Sequence, residues 1–183
     1  MLKNILITGA SGLCGGVLST GLTKLGYKII SCDIKSNPST AAKSLKISIN
    51  QKIKLIDLRN MKQVIRATKG ISAVVHFGGI PRHKPKEDNY KKIIDHNIIG
   101  TYNIFEASRI NKVKRIIFAS SNHAIGFHRR TTRLNELSIQ RPDSHYGLSK
   151  AFGENLSRLY ADKFNIKSMC IRIGSCLKTP EDK

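Results

Sequence analysis

The sequence predicts an α/β fold in which a doubly wound parallel sheet carries helices on both faces. Three observations predict it. Short apolar runs alternate with stretches of helical spacing along the 183 residues. Three glycines, Gly9, Gly12 and Gly15, follow the first apolar run at once. Later runs close on polar residues, Asp33, Asp57 and Ser120-Ser121, at the carboxyl ends where such sheets bind ligands.

Leu2 to Thr8 reads as a short buried strand and Gly12 to Leu25 as the helix after it, with Gly26 where a helix stop is expected. Tyr27 to Cys32 is a second strand ending in Asp33, which completes a β-α-β unit of about 30 residues. Ser36 to Ser44 is polar and contains a proline, so it reads as a loop or weak helix. Ile53 to Ile56 is a third strand closed by Asp57-Leu58, and Met61 to Thr68 is a short helix. Ala73 to Phe77 is a fourth strand running into Gly78-Gly79-Ile80-Pro81. A basic loop over Pro81 to Asp88 leads to a long helix over Tyr90 to Asn111, where Ile94, Ile98, Tyr102, Phe105 and Ile110 fall near helical spacing. Arg115 to Ala119 is a fifth strand ending in Ser120-Ser121, and Ala124 to Ser144 is irregular and basic. Tyr146 to Phe164 is a helix with apolar Leu148, Phe152, Leu156, Leu159 and Tyr160, and Lys167 to Ile173 is a sixth strand. Right-handed crossovers then favour the doubly wound order.

The length implies one domain. Hydrophobic residues are 40% and charged residues 24%, an ordinary globular balance. No apolar run approaches the roughly 20 residues of a membrane helix, and the N-terminus lacks a signal-peptide pattern. A transmembrane protein is excluded, a secreted one is disfavoured, and a cytoplasmic location is expected. Cys14, Cys32, Cys170 and Cys176 form no Cys-x-x-Cys pair, which suits reduced thiols, and no ligand cluster suggests a metal. The formal charge of +20 raises nucleic acid as a partner. The lysines are scattered, however. Only Arg129-Arg130 with Arg133, and Arg82 to Lys86, are locally basic, and aromatic residues do not interleave with them. Nucleic acid is therefore disfavoured, and attraction of small anionic substrates is equally compatible. A homo-oligomer remains open.

Gly9-x-x-Gly12-x-x-Gly15 lies between a strand and a helix, the context in which glycines let the backbone approach a pyrophosphate. Asp33 can accept hydrogen bonds from an adenosine ribose and would repel a 2′-phosphate, which favours NAD over NADP; Lys35 nearby pulls the other way. Asp57-Leu58 would lie near the adenine, or is a plain strand end. Tyr146-x-x-x-Lys150 places two side chains on one helix face. A cation and a hydroxyl donor beside a tyrosine lower its pKa from about 10, making a proton acceptor for alcohol oxidation.

Thr8-Gly-Ala-Ser-Gly-Leu-Cys-Gly15, a serine-bearing strand end and Tyr146-x-x-x-Lys150 resemble the Rossmann-type short-chain dehydrogenases of the extended, nucleotide-sugar epimerase type. Other blocks narrow the resemblance to the bacterial uronate dehydrogenases. They are His76-Phe-Gly-Gly-Ile80, Asn97-Ile-Ile-Gly100, Phe118-Ala-Ser-Ser-Asn-His123 and Arg141-Pro-Asp. Tyr146-Gly-Leu-Ser-Lys-Ala-Phe-Gly-Glu-Asn155 and Arg172-Ile-Gly-Ser-Cys176 belong with them. The resemblance implies oxidation of an aldohexuronic acid (glucuronate or galacturonate) at C1 to the aldarolactone, with NAD as acceptor. Tyr146 would be the base, Lys150 its partner and a holder of the nicotinamide ribose, and Ser121 the catalytic serine. Asn122 and His123 would hold the sugar, and Ser175 would touch the substrate or the nicotinamide end. Gly9, Gly12, Leu13, Gly15, Asp33, Asp57, Leu58, Gly78 and Gly79 would lie along NAD. A nucleotide-sugar epimerase or dehydratase, or an inactive NAD-binding fragment, is the alternative.

Members of this family continue well past Lys183, so a truncated chain is expected. One Rossmann domain over 1–183 would carry Ser, Tyr and Lys, and the C-terminal substrate-binding portion would be missing. An arginine that clamps the uronate carboxylate would lie in that portion, and its loss would leave an apolar sheet edge or face exposed.

Overall fold

The computed structural model describes residues 4–44, 52–81 and 90–176. Its six strands are β1 (Asn4–Thr8), β2 (Lys28–Asp33), β3 (Ile53–Leu55), β4 (Ala73–His76), β5 (Arg115–Ser121) and β6 (Lys167–Ile173). They pair in parallel in the order β3-β2-β1-β4-β5-β6. The chain starts at the centre, winds outward to β3, then returns to the far side of β1 and winds outward again. The switch point falls between β1 and β4, where Thr8 stands beside His76.

The helices are α1 (Leu13–Lys24), α2 (Thr40–Ser44), α3 (Met61–Thr68), α4 (Tyr90–Ile93), α5 (Gly100–Ile110) and α6 (His145–Phe164). Strand alternation assigns them to faces. Leu6, Cys32, Val74 and Ile116 point into one core cluster with Val64 of α3, Ile104 and Phe105 of α5, and Leu156 and Tyr160 of α6. Ser31, next to Cys32, points the other way and donates to the Ser19 hydroxyl of α1 at 3.3 Å. Helices therefore cover both faces. Parallel strands buried on two sides need continuous apolar runs, and Leu6, Ile7, Val74 and Val75 are all buried. No helix among the described residues is long and apolar enough to cross a membrane.

The predicted helix over Tyr90 to Asn111 is corrected. α4 passes into a π turn over Ile94–Ile99 before α5 begins. The wider turn shifts the helix phase, leaving Ile94, Tyr102 and Ile110 exposed while Asn97, Thr101 and Asn103 are buried. Leu148 and Leu159 of α6 are likewise exposed. Small residues replace them at the sheet: Gly153 lies so close to the Phe118 ring that a Cβ could not be accommodated. β5 runs two residues further than predicted, to Ser121. Of the basic loop only Pro81 lies within the described residues, and Leu2 and Lys3 of the first strand lie outside them.

β6 is an edge strand, with Met169 60% and Ile171 45% exposed. Their alternation along the strand puts both on the face opposite α6.

Candidate active site

Two clusters meet at the carboxyl end of the sheet. The first is the turn from β1 into α1. Gly9 has φ +69°, and a Cβ there would lie 2.7 Å from the Phe77 carbonyl carbon. A Cβ on Gly15 would strike the Gly9 carbonyl. Both positions need glycine so that strand, turn and helix can close together. Gly12 caps α1 with no side-chain hydrogen bond, and the first turn of α1 holds no acidic residue. Its leading N–H groups thus keep their capacity for an anion. Gly78 is wedged between Leu58 and Thr8, and Gly79 lies against Asn97.

Asp33 ends β2 beside this turn. Its Oδ2 accepts from the Ser11 N–H and hydroxyl, and its Oδ1 accepts from the Ile34 N–H at 2.7 Å. Asp57 lies one strand further out and forms a forked pair with Arg59, Nη2 to Oδ2 being 2.7 Å. Hydrogen bonds from Arg59 hold the Asp57 carboxyl below its ordinary range. Gly9, Gly12, Leu13, Gly15, Asp33, Asp57, Leu58, Gly78 and Gly79 thus follow the ends of β1 to β4. The Cβ-free turn, the uncapped helix start and the carboxylate at β2 fit a dinucleotide such as NAD.

The second cluster stands at β5. Ser121 caps the short 3₁₀ turn Asn122–Ile125, accepting from the His123 N–H at 3.2 Å, and its hydroxyl lies 3.1 Å from Asn122 Oδ1. It also reaches Tyr146. Burial pushes the Tyr146 phenol up, and the hydrogen bond from Ser121 draws it back. The expected lowering of this tyrosine by Lys150 is not found. The ammonium sits over the Tyr146 ring, 5.4 Å from its centre, and 5.1 Å over the Phe118 ring, rather than at the hydroxyl. Lys150 is buried, and burial brings its pKa down to about 8. Ser175 lies exposed just past β6, next to Cys176, whose sulfur is 3.5 Å from that of Cys14 in the first turn of α1.

Several residues of this region were not identified from the sequence as site residues. Asp143 accepts from His123 Nδ1 at 2.7 Å, which fixes the ring and turns Nε2 away from the carboxylate. The His123 ring meets Tyr146 edge-on at 5.8 Å. Asn97, in the π turn, accepts from the Ile80 N–H and donates to the Ile80 carbonyl and to Ser149 of α6, clamping the Gly78-Gly79 stretch. His76 bridges Thr8 at 2.7 Å and Thr101 at 3.0 Å, and burial lowers its pKa to about 3, so it stays neutral. Behind the site, Glu154 of α6 accepts from Arg172 of β6, Ser120 and Gln140. His76, Asn97, Asp143 and Glu154 all fall in sequence blocks that carry the resemblance, but the role of each depends on long-range pairing that no local signal records.

Fold and site define an α/β protein whose glycine turn, of a shape that fits a dinucleotide, shares the carboxyl end of the sheet with a tyrosine–lysine pair. The chain belongs to the NAD dependent epimerase/dehydratase family, whose model matches residues 5–177. It is 36% identical over 181 residues to the uronate dehydrogenase of Pseudomonas syringae pv. tomato, covering 99% of this chain and 62% of that protein. The crystal structure of glucuronic acid dehydrogenase from Chromohalobacter salexigens superposes with a TM-score of 0.85 at 39% identity, covering 100% of this chain and 65% of that one. A variant of uronate dehydrogenase from Agrobacterium tumefaciens, solved in complex with NAD, gives 0.84 at 37% identity, with 100% and 65% covered. The chain thus spans just under two thirds of the length of these relatives.

Proposed function

We propose that the protein works as an NAD-dependent dehydrogenase that oxidises an aldohexuronic acid at C1 to the aldarolactone. The observation that carries this reading is the Ser121-Asn122-His123 turn facing Tyr146 at the end of β5. Likeness to uronate and glucuronic acid dehydrogenases supports the substrate class. Gly9, Gly12, Leu13, Gly15, Asp33, Asp57, Leu58, Gly78, Gly79 and Lys150 would hold NAD, which when bound supplies the hydride acceptor.

In this reading Tyr146 Oη takes the proton of the C1 hydroxyl as the C1 hydrogen leaves as hydride. Ser121 holds the C1 oxygen and steadies the phenolate by hydrogen bonding. Lys150 sits under the same ring and offsets the developing charge. Asn122 and His123 hold the sugar, with His123 oriented by Asp143, and Ser175 meets the substrate from the β6 side. Four free thiols suit a cytoplasmic setting.

The test is NADH formation by the purified chain with glucuronate and galacturonate beside neutral hexoses. Turnover confined to the uronates is expected. Turnover of nucleotide sugars without net NADH would instead support an epimerase, in which NAD is recycled. Binding of NAD with no turnover of either class would support an inactive NAD-binding fragment.

A further inference from the structure

Cys14 lies in the first turn of α1, inside the glycine motif, and Cys176 lies three residues past the end of β6. Their sulfurs are 3.5 Å apart, although 162 residues separate them. Both are free thiols. β1 and β6 are three strand spacings apart in the sheet, roughly 14 Å at about 4.8 Å each. To reach Cys14, residues 174–176 must run back across the carboxyl ends of β5 and β4. That path crosses the crevice between the glycine turn and Tyr146, and Cys14 is close enough to Tyr146 to influence its charge.

We propose that Cys14 and Cys176 are a redox-sensitive thiol pair whose closure to a disulfide bars the nicotinamide end of the dinucleotide crevice. The barring role rests on the reading of the glycine turn as an NAD seat; the pairing does not. A disulfide needs about 2.05 Å between sulfurs, so side-chain rotation must bring the two together by about 1.5 Å. The oxidant is a peroxide. The sulfur of Cys176, the exposed thiol, attacks the peroxide first: an S–O bond forms, the O–O bond breaks, and one water leaves. The Cys14 sulfur then displaces the oxygen of that sulfenic acid, forming S–S, and a second water leaves. Two electrons pass from the thiols to the peroxide, and the two thiol hydrogens end in water. Burial, reinforced by Cys176, pushes the Cys14 thiol up to about 11, which disfavours it as the thiol that meets the peroxide first.

The bridge would pin residues 174–176 over the crevice, and a bound dinucleotide would hold them away from Cys14. Disulfide and NAD then oppose each other reciprocally.

The experiment treats the reduced chain with hydrogen peroxide, with and without saturating NAD. Unreduced digests are read by mass spectrometry, and NAD affinity is measured by calorimetry before oxidation, after it, and after dithiothreitol. We expect a peptide linking Cys14 to Cys176, slower linkage with NAD present, and at least a tenfold loss of NAD affinity that dithiothreitol restores. Cys176→Ser should keep its NAD affinity under peroxide. Oxidation of Cys176 alone, with no linked peptide, overturns the pairing. A linked peptide with unchanged NAD affinity overturns the barring role. A reduced chain that binds no NAD overturns the reading of the glycine turn and the barring role with it, while the linked peptide still decides the pairing.

Discussion

Oδ2 of Asp33 accepts two hydrogen bonds from Ser11, one from its backbone N–H at 3.0 Å and one from its hydroxyl at 2.7 Å. The carboxylate that ends β2 is thereby tied to the glycine turn that ends β1. One side chain both braces the turn and sets the charge that a ribose would meet.

Asp33→Ala should therefore do two things: weaken NAD binding by loosening the turn, and narrow the preference for NAD over NADP. Asp33→Asn keeps an acceptor for Ser11 and removes the charge, so it should narrow the preference while retaining more of the NAD affinity. Titration of both variants with both cofactors checks this. An unchanged affinity ratio in Asp33→Asn would remove Asp33 as the reader of the ribose.

Tyr146→Phe should bind NAD as the parent does and lose NADH formation by about 10²–10⁴-fold, the usual contribution of a positioned acid–base group. The ring contact with Lys150 survives the change, because it involves the ring and not the hydroxyl. Turnover within a few-fold of the parent would eliminate the proposed base.

Lys150 is a charge held out of water, and its pKa of about 8 compares with an ordinary 10.5. The sign follows from proton counting. Between those values the unfolded chain binds a proton that the folded chain has lost, so stability rises with pH across that window. Below about 8 the full penalty for burying the ammonium applies. Lys150→Met should therefore raise stability at pH 7, by an amount of the order of 1–3 kcal/mol, while abolishing most turnover. Urea denaturation at pH 7 and pH 10 measures it, and a gain no larger at pH 7 than at pH 10 would contradict the assignment.

Glu154 presents the opposite sign. Burial pushes its carboxyl up, but hydrogen bonds from Arg172, Gln140 and Ser120 outweigh burial and hold it below the ordinary range. Its contribution is present above the ordinary carboxylate pKa and fades as pH falls through the lower folded value. Glu154→Ala should cost about 3–5 kcal/mol, because it strands Arg172 in a largely buried site. Pairing Glu154→Leu with Arg172→Met should recover much of that loss. Denaturation midpoints of the two variants and the parent at pH 7 test this, and a double variant no more stable than Glu154→Ala would show that the pair itself supplies the stability.

Local signals made much of the sheet legible. Met61–Thr68 and Lys167–Ile173 have the bounds that apolar spacing and flanking residues suggest. The glycine turn could be read because its chemistry is contiguous in the chain. The α4–α5 region could not, because its buried side mixes polar Asn97, Thr101 and Asn103 with apolar Ile104 and Phe105. Asn103 donates to the Leu58 and Arg59 carbonyls, Asn97 serves Ile80, and Thr101 meets His76. A polar side chain is buried only when a distant partner satisfies it, and periodicity carries no record of that partner. Asp143 and Glu154 escaped notice for the same reason. Ser121, Tyr146 and Lys150 were legible as residue types, but the seating of the ammonium over the ring rather than at the hydroxyl depends on Phe118, which β5 brings beneath α6.

The seat of Gly9 against Phe77 and Gly78 has a consequence for the order of events in synthesis. Thr8 and His76, which close the two strands around that turn, are 68 residues apart. A nascent chain that has delivered β1, α1 and β2 to the ribosome exit still holds an unfinished turn, with one flank of β1 open to solvent. Only when β4 emerges can Gly9 lock. Pairings this distant in sequence pay their loop-closure entropy before any contact rewards it, which slows folding. The glycine turn is thus encoded first and completed late, and until then the open flank of β1 is a surface that chaperones or neighbouring chains can reach.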